Sequence, residues 1–498
     1  MSEKILTAAI NGLNAEVVQV EADSGGGEFG QISLVGLPDT AVSEARERVK
    51  SALKNCGYHY PKRKLTVNLA PAHLKKQGSG YDLPIAICIV CLNNRFNFDF
   101  RQAIFCGELS LDGEIRPLRS ILPFVIAAKR QGLKSIFLPA ANAKEASLVT
   151  NIDIYPVNSL KQTLAYLQNN TNHAAYTPAQ VIKPPLLSNP WSQIKGQIQA
   201  KRALTIAAAG GHNLLMIGPP GSGKSLLANS LAAILPDLNR SQQLEVAQIY
   251  SIAGEFSKVA DHLERPPFRA PHHNASPAAI LGGGRSPKPG EITLAHHGAL
   301  FLDELPEFSR YTIDALRQPL EQRQILISRA EHHSYYPADF LLVAAMNPCP
   351  CGYFGAREQA CTCTTAGIQR YRQKISGPVL DRFDLQLSVP RLLPAELASL
   401  NSSSEPPPLA AIAQARQRQL LRQHTKNATV DFNHLHRWQH DYHDAELLAL
   451  EAAEALKLSA RAYDRLFKVA RTIADLEGID AILPRHIAEV LSYRLSDC

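Results

Sequence analysis

A glycine-rich segment that ends in lysine and serine is the strongest chemical signal in this chain of 498 residues. It follows the apolar run Leu214-Leu215-Met216-Ile217, which has strand character, and precedes a helical pattern over residues 226–235. Glycines let backbone N–H groups turn inward around phosphate oxygens, and a helix N-terminus adds favourable partial charge. This context predicts a phosphate-binding loop rather than a chance turn. Its residues are Gly218, Pro219, Pro220, Gly221, Ser222, Gly223, Lys224 and Ser225.

Two acidic residues supply the groups that a phosphate loop needs beside it. Lys224 is expected to reach the β- and γ-phosphates of ATP, and Ser225 is expected to ligate Mg²⁺. Asp303 and Glu304 end the apolar run Ala299-Leu300-Phe301-Leu302, about 80 residues after the loop. Asp303 is suited to hold Mg²⁺, and Glu304 is suited to polarise the attacking water. A third apolar run, at residues 340–346, ends at Asn347, which either helps to position this water or caps the strand.

Four cysteines form a second chemical signal. They are arranged as two C-x-C pairs, with nine residues between the pairs. Four thiolates at this spacing can close tetrahedrally on Zn²⁺, so the sequence favours a structural zinc site over reduced thiols or redox-active pairs. The four residues are Cys349, Cys351, Cys361 and Cys363.

Composition limits the classes of protein to which the chain can belong. The formal charge of +7 permits a nucleic-acid partner without requiring one. The sequence contains no apolar run near the roughly 18 residues needed to cross a bilayer, and its start lacks the apolar core of a signal peptide. The expected location is therefore cytoplasmic, with no membrane partner. In that compartment the nine cysteines are expected to be thiols or metal ligands.

The length predicts several domains in an α/β multidomain protein. Strands are predicted around residues 17–20 and 65–69, and an amphipathic helix is predicted over residues 40–53. Proline-bearing polar stretches divide the chain at residues 169–190 and 393–408. We therefore expect an N-terminal domain over 1–168, a central phosphate-binding domain over 191–392 and a helical domain over 409–498.

The central domain resembles an AAA+ ATPase core. The resemblance places Asn347 at the sensor 1 position. The segment Ile375-Ser376-Gly377-Pro378-Val379-Leu380-Asp381-Arg382-Phe383-Asp384 is similar to the arginine-finger region of magnesium-chelatase-like ATPases. It implies that Arg382 stabilises the γ-phosphate of a neighbouring subunit, rather than forming a surface salt bridge. Ser459-Ala460-Arg461, which opens a predicted helix, resembles the sensor 2 motif, although Arg465 and Arg471 lie nearby.

Across nearly its whole length the chain resembles the ComM/YifB family of magnesium-chelatase-like proteins. The motifs that carry this resemblance, in addition to the phosphate loop, are Gly36-Leu37-Pro38-Asp39, Gly78-Ser79-Gly80-Tyr81-Asp82-Leu83-Pro84, Phe268-Arg269-Ala270-Pro271-His272-His273 and Asn347-Pro348-Cys349-Pro350-Cys351-Gly352. The resemblance implies a homo-hexameric ATP hydrolase whose last domain is a helical lid. For ComM it implies a helicase that drives branch migration of single-stranded DNA during recombination in natural transformation, with other recombination proteins as possible partners.

The N-terminal domain resembles the Lon protease domain, of the ribosomal S5 domain 2-like α+β fold. That fold can carry a serine–lysine dyad. The family's nucleophile position falls at or near Asp82, and its lysine position falls near Leu122. A carboxylate and an alkyl chain cannot perform serine–lysine acyl transfer, so we expect a domain without protease activity.

Two segments are candidates for DNA contact. The first, residues 265–290, contains Phe268, Arg269, Arg285 and Lys288, and the second is a hairpin over residues 324–336. Positive and aromatic side chains suit contact with single strands, while the alternative is solvated loops or subunit contacts. The basic residues from Arg416 to Lys426 are either a further basic surface or an exposed helix face. The competing function is a chelatase-type motor that remodels a protein partner.

Overall fold

A computed structural model of the chain describes residues 3–25, 32–58, 63–169, 174–178, 190–284, 288–329, 332–356, 359–392 and 406–494. The chain divides into two compact units. The first unit is Met1–Lys183 with Gln243–His262 and Ala330–Ser334, and the second is Pro184–Gln242 with Leu263–Arg329 and Tyr335–Cys498. Most of the stretch at 169–190, and residues 393–405, lie outside the described residues.

The first unit contains a mixed sheet. Its strands are β1 (Ile5–Asn11), β2 (Asn14–Gly25), β3 (Ile32–Val35), β4 (Lys64–Ala70), β5 (Ala103–Phe105), β6 (Glu108–Leu109), β7 (Ile115–Arg116), β8 (Ser135–Pro139) and β9 (Asp153–Val157). Seven of them are ordered β3-β4-β2-β1-β5-β8-β9, and β6 pairs with β7. β2 runs antiparallel to β1 and β4, whereas the other neighbours in the large sheet are parallel. The two strands predicted from sequence fall within β2 and β4.

Helices of the first unit cover this sheet. They are α1 (Thr40–Asn55), α2 (Asp82–Cys91), α3 (Leu122–Arg130), α4 (Ala143–Ala146) and α5 (Leu160–Asn169). The carboxylate of Asp39 caps α1, accepting a hydrogen bond of 2.8 Å from the Val42 backbone N–H. The apolar face predicted for this helix is confirmed, because Val42, Ala45, Val49 and Leu53 are all buried.

Asp82, at or near which the Lon resemblance places the protease nucleophile, is part of a buried ion pair. Its two carboxylate oxygens accept hydrogen bonds of 2.6 and 3.0 Å from the Arg48 guanidinium. One of these oxygens also accepts from the backbone N–H of Leu109, at 3.1 Å. Every contact of this carboxylate therefore holds α1, α2 and β6 together, which is a structural role.

Residues 243–262 pack within the first unit, although the sequence division places them in the central domain. They include most of helix α8 (Arg240–Ala253). The Ser251 hydroxyl accepts from the backbone N–H of Leu122 at 3.4 Å, and its carbonyl accepts from the Ser120 hydroxyl at 3.1 Å. Lys144 and Asp261 form an exposed ion pair of 2.8 Å. Sequence periodicity cannot reveal such long-range packing.

The second unit is built on a parallel sheet. Its strands are β10 (Leu214–Ile217), β11 (Phe268–Arg269), β12 (Ala299–Leu302), β15 (Leu341–Met346) and β16 (Leu385–Ser388), while β13 (Gln324–Arg329) and β14 (His332–Pro337) form a separate hairpin. The order is β11-β12-β15-β10-β16, and all four pairings are parallel. Every residue of β10, β12 and β15 is buried, as expected for a parallel sheet covered on both faces.

Two groups of helices belong to the second unit. Those before residue 392 are α6 (Ile198–Gly210), α7 (Lys224–Ala232), α9 (Pro277–Leu281), α10 (Glu291–Leu294), α11 (Arg310–Ala315), α12 (Arg317–Gln322), α13 (Thr365–Arg372) and α14 (Gly377–Leu380). The later ones are α15 (Leu409–Gln423), α16 (Phe432–His440), α17 (His443–Ala455), α18 (Ala460–Glu477) and α19 (Pro484–Leu491). The predicted helix at 226–235 begins and ends earlier, as α7, because the chain turns helical directly at Lys224.

Two basic residues of α15, Arg416 and Arg422, have hydrogen-bond partners within the second unit, whereas Arg418 and Arg422 are also exposed, so the alternative of an exposed helix face fits part of this row. The Arg416 guanidinium donates to the Ala208 carbonyl at 2.7 Å. Arg422 binds both oxygens of Asp475 at 2.8 and 2.9 Å. Asp475 is 2 % exposed and also pairs with the buried Arg471. Asp475 and Arg471 are buried charges, and buried charges need such partners.

Candidate functional site

The phosphate loop lies between the carboxyl end of β10 and the first residue of α7. Gly218 is required at its start, because a Cβ there would lie 2.2 Å from the Val389 carbonyl oxygen of the neighbouring strand. The Lys224 ammonium donates to the carbonyls of Gly218 and Pro219 at 2.7 and 2.9 Å. Burial lowers the pKa of Lys224, an effect that Asp303 and Glu304 oppose. A charge held this far from water is placed to bind an anion such as a phosphate.

Asp303 and Glu304 follow β12 and face the phosphate loop and the segment after β11. The Ser225 hydroxyl donates to the Asp303 carboxylate at 2.8 Å, so the two expected Mg²⁺ ligands are already together. Glu304 has a left-handed backbone with φ of 52°, and its carboxylate lies 3.1 Å from His273 Nδ1. His273 thus contacts the expected catalytic base.

Asn347, at the end of β15, completes this group of side chains. Its amide oxygen accepts from the Lys224 ammonium at 3.3 Å. Together with Glu304 and Tyr371 it lines a cavity of about 550 Å³. The parallel sheet therefore brings together the groups that follow β10, β12 and β15, as the sequence predicts for neighbouring carboxyl ends.

The four cysteines of the C-x-C pairs converge two residues beyond Asn347. The Cys349 sulfur lies 3.3 Å from that of Cys351 and 3.7 Å from that of Cys361, and Cys351 and Cys361 are 3.6 Å apart. All four sulfurs lie within 4.8 Å of one another. A tetrahedral Zn²⁺ with bonds of about 2.3 Å has sulfurs about 3.8 Å apart, so these residues fit the ion.

Backbone groups hold these sulfurs in place. The Cys349 sulfur accepts from the Phe354 N–H at 3.3 Å, and the Cys363 sulfur accepts from the Cys351 N–H at 3.4 Å. Hydrogen bonds from the Tyr353 and Thr362 backbones lower the pKa of Cys351 to about 6. The cluster fastens the end of β15 to the start of α13, where Thr364 caps the helix.

A turn of the cysteine cluster contacts the phosphate loop. Gly352 has φ of +86°, and a Cβ at this position would lie 2.7 Å from Pro220 Cδ. Gly355, in the same turn region, has φ of +75° but nothing within 4 Å of an added Cβ. The geometry of the cluster and that of the phosphate loop are therefore coupled by close packing.

Arg382 lies at the opposite end of the sheet from the phosphate loop. β10 and β16 pair from Leu214↔Leu385 to Ile217↔Ser388, so the loop follows their carboxyl ends whereas Arg382 precedes their amino ends. Asn213 fixes this position, because its side-chain amide donates to the Arg382 carbonyl at 2.9 Å. A strand of four residues is about 13 Å long. Arg382 is thus separated from its own phosphate loop by the length of the sheet.

Arg461 lies beside Arg382. Both guanidiniums contact the Glu321 carboxylate, that of Arg461 at 3.4 Å. Arg461 is exposed, whereas Arg465 is paired with Asp384 at 3.1 Å and Arg471 is buried with Asp475. The structure therefore separates Arg461 from the other two arginines considered for the sensor 2 position. It also places Arg461 at the amino ends of the strands.

Two of the residues considered for DNA contact have contacts within the protein instead. Phe268 stacks on Phe301 with centroids 6.2 Å apart, and Arg269 forms hydrogen bonds of 2.6 and 2.8 Å with Glu291. These two residues hold the sheet edge instead of projecting outward. Lys288 and Tyr335 are exposed. Arg285, and the side chains of Arg329, His332 and His333, lie outside the described part of the chain.

Two contacts of this site were not found from sequence. His273 lies in one of the motifs that carry the family resemblance, but the motif gives no sign that its ring contacts Glu304. Glu321 carries no motif at all. A carboxylate on a short helix is common, and only the tertiary fold brings it to Arg382 and Arg461.

Comparisons with known proteins identify the class. The family described as "Magnesium chelatase, subunit ChlI" matches residues 190–397, that described as "Subunit ChlI of Mg-chelatase" matches residues 18–142, and "Magnesium chelatase, subunit ChlI C-terminal" matches residues 408–494. The chain is also 26% identical over 160 residues to an archaeal Lon protease of Thermococcus kodakarensis, covering 31% of this chain and 25% of that one.

Full-length relatives identify the family more closely. The chain is 42% identical to YifB of Salmonella typhimurium, covering 99% of this chain and 96% of that protein. It is 40% identical to the competence protein ComM of Haemophilus influenzae, covering 98% and 97%. The chain belongs to the ComM/YifB family of magnesium-chelatase-like AAA+ proteins. Membership suggests an ATPase that uses ATP and Mg²⁺. Among the described residues, every helix is too short or too polar to cross a bilayer.

The contact between Gly352 and Pro220 gives a testable prediction. We expect Gly352→Ala to weaken ATP binding about tenfold, because the added methyl displaces Pro220. Gly355→Ala is the matched control, since it carries the same penalty of roughly 1 kcal/mol for a positive φ but meets no neighbour. Titration with a fluorescent ATP analogue measures both dissociation constants. Equal constants for the two variants would contradict the coupling between the cluster and the loop.

Proposed function

We propose that this protein is an ATP-driven DNA motor that works as a homo-hexameric ring. It would act as a helicase on single-stranded and branched DNA, promoting branch migration and strand integration in homologous recombination during natural transformation. The observation that carries the proposal is the separation of Arg382 from its own phosphate loop by the length of the sheet. An arginine finger at this position can serve only a nucleotide held by another copy, which requires a ring or filament of subunits.

The residues at the carboxyl ends of the strands suit ATP hydrolysis. Lys224 and the loop backbone would bind the β- and γ-phosphates. Ser225 and Asp303 would hold Mg²⁺, which neutralises charge on the phosphate oxygens. As the water oxygen bonds to the γ-phosphorus, Glu304 accepts its proton, and the bond to the bridging oxygen of ADP breaks. Asn347 would orient the water.

His273 would regulate Glu304, the proposed catalytic base. Its Nδ1 lies 3.1 Å from the Glu304 carboxylate, which must be free to accept a proton from water. His273 follows β11, and the segment that it begins leads to the exposed Lys288. A change in this segment on DNA binding would release the carboxylate, so hydrolysis would depend on DNA.

Arg382 and Arg461 would act together on the nucleotide of the neighbouring copy. Both guanidiniums lie within reach of one carboxylate, that of Glu321, so they occupy one site. Two cations beside the γ-phosphate would stabilise charge that develops as ADP leaves. The sensor 2 residue would then serve the adjoining subunit, not its own.

DNA as the substrate is supported by similarity and by charge. The family includes a protein named for competence, ComM of Haemophilus influenzae. The formal charge is +7, and Lys288 and Tyr335 are exposed in the two segments considered for DNA contact. Lysine and tyrosine suit contacts to the phosphate backbone and stacking on bases.

A chelatase-type motor that remodels a protein partner is the second candidate. It is supported by the three matches to magnesium chelatase subunit ChlI, which together span most of the chain. The two functions differ in what stimulates hydrolysis. A DNA motor responds to DNA, whereas a remodelling motor responds to its protein partner.

The direct experiment measures ATP hydrolysis with and without single-stranded DNA, followed by unwinding of a branched substrate. We expect DNA to raise kcat and the branch to be displaced in the presence of ATP. Glu304→Gln should still bind ATP but hydrolyse it at least about 100-fold more slowly, because the proton acceptor is lost. This variant should not displace the branch.

Lys224→Ala, which should lose ATP binding itself, is the matched control for Glu304→Gln. ATP hydrolysis at the same rate with and without DNA would favour the function of a motor that remodels a protein partner. If Glu304→Gln hydrolysed ATP at the parent rate, the assignment of Glu304 as the catalytic base would be wrong.

We also propose that Cys349, Cys351, Cys361 and Cys363 bind a structural Zn²⁺. The distances between their sulfurs support this, as does their position between β15 and α13. The ion would fix the segment after Asn347 against the phosphate loop. Its loss should therefore affect nucleotide binding as well as stability.

Metal analysis tests the zinc proposal. The purified protein should contain about one Zn²⁺ per chain, and a protein with Cys361→Ser and Cys363→Ser should lose it and unfold at a lower temperature. Replacing Cys88 and Cys106 with alanine is the control, because both residues are buried far along the chain from the cluster. Full retention of zinc in the serine variant would overturn the assignment.

A further inference from the structure

A carboxylate on α12 contacts both arginines proposed to act between subunits. Arg382 Nη2 forms an ion pair with Glu321 Oε1, and Arg461 Nη2 lies 3.4 Å from the same oxygen. The Arg382 side chain is 8 % exposed, that of Glu321 is 50 % exposed and that of Arg461 is 61 % exposed. The buried finger is thus linked to a surface arginine through one half-exposed carboxylate.

Glu321 offsets a surplus of positive charge around the two arginines, because the other carboxylates of this region, Asp339 and Asp384, already pair with Lys426 and Arg465. Burial lowers the pKa of Arg382, and Arg461, Arg465 and Arg317 lower it further, while Glu321 opposes them. The Nη1 group of Arg382 donates to the Pro378 carbonyl at 3.2 Å, and Glu321 binds Nη2. Without Glu321, repulsion between guanidiniums would favour rotamers that move them apart.

The backbone around Glu321 is well anchored. Pro319 is buried and Leu320 packs against the apolar core of the second unit. Helix α12 ends at Gln322, and the residue that caps it, Arg323, has φ of 55°. The Arg323 carbonyl accepts from the Ala338 N–H at 2.8 Å at the base of the β13–β14 hairpin. A carboxylate held this firmly can set the orientation of more mobile arginine side chains.

Glu321, Arg382 and Arg461 also share a cavity. It has a volume of about 280 Å³ and lies at the amino ends of β10, β15 and β16, with Arg465 and Lys468 in its wall. The Nε group of Arg382 is buried and has no hydrogen-bond partner among the described residues. An unsatisfied guanidinium N–H in a basic cavity is suited to an incoming phosphate oxygen.

We propose that Glu321 is a positioning residue that holds Arg382 and Arg461 in the orientation in which they meet the nucleotide of the neighbouring copy. This inference rests on the proposed function of Arg382 and adds a residue to it. Glu321 itself would not touch the nucleotide. It would restrict the rotamers of Arg382 and Arg461, so that fewer unproductive orientations compete with the one that meets the nucleotide.

The test is a double-mutant cycle in the DNA-stimulated ATPase assay. Glu321→Gln keeps the shape of the side chain and removes its charge. We expect it to lower kcat about tenfold and to change KM for ATP less than about threefold, because the phosphate loop of the neighbour is intact. In a protein that already carries Arg382→Ala and Arg461→Ala, adding Glu321→Gln should change kcat less than about twofold, because both arginines that it positions are gone.

Gln318→Ala is the matched control, since Gln318 lies on the same helix and pairs with Gln322 on the exposed surface. It should leave kcat unchanged. A parent-like kcat for Glu321→Gln would overturn the proposal. Losses that multiply when Glu321→Gln is added to the protein lacking both arginines would also overturn it, because they would indicate an effect independent of Arg382 and Arg461. If Arg382→Ala alone kept full activity, the assignment of Arg382 as the arginine finger would be wrong. This result would be distinct from a failure of the proposal for Glu321.

Discussion

The phosphate loop and Arg382 lie at opposite ends of one parallel sheet, and this separation limits which residues can act on one nucleotide. All four pairings of the five-stranded sheet are parallel, so groups that follow strands and groups that precede them lie on opposite sides. The phosphate loop, Asp303, Glu304 and Asn347 follow strands, while Arg382 precedes β16. In the proposed function one chain therefore carries two halves of a site and cannot join them by itself. Side-chain motion cannot span about 13 Å of sheet.

The nucleotide half depends on a lysine held in a poorly hydrated position. Lys224 is bound by two loop carbonyls and by Asn347, so its charge has polar partners before any phosphate arrives. The turn that contains Gly352 contacts the loop from the side, which connects the cysteine cluster to the phosphate-binding residues. Because interiors are closely packed, we expect a change in this cluster to be transmitted to the loop.

The features that the sequence predicts are those that depend on residues close together along the chain. The phosphate loop, the strand ends and the cysteine pairs depend on residue types and spacing along the chain, so the sequence predicts them. The alternation of Leu65, Val67 and Leu69 likewise predicts a strand, because residues two apart share a face. The sequence does not distinguish Arg461 from Arg465 and Arg471, because the acidic partners of the latter two, Asp384 and Asp475, are brought to them by the tertiary fold and by a buried helix face.

Long-range pairing explains what the sequence does not reveal. Arg422 and Asp475 are 53 residues apart, and Arg382 and Glu321 are 61 apart, so local periodicity does not contain these contacts. The sequence therefore does not show that Arg422 pairs with Asp475, and it contains no signal for the role of Glu321. The packing of residues 243–262 in the first unit also depends on contacts with residues more than 100 positions away.

The central claim is that each nucleotide is hydrolysed between two copies of the chain. Mixing Lys224→Ala protein with Arg382→Ala protein tests this most directly, because each inactive variant keeps the half that the other lacks. ATPase activity should appear in the mixture and rise to a maximum near equal amounts, since an intact phosphate loop then meets an intact arginine. A mixture as inactive as its components, when both variants assemble with each other, would contradict the account.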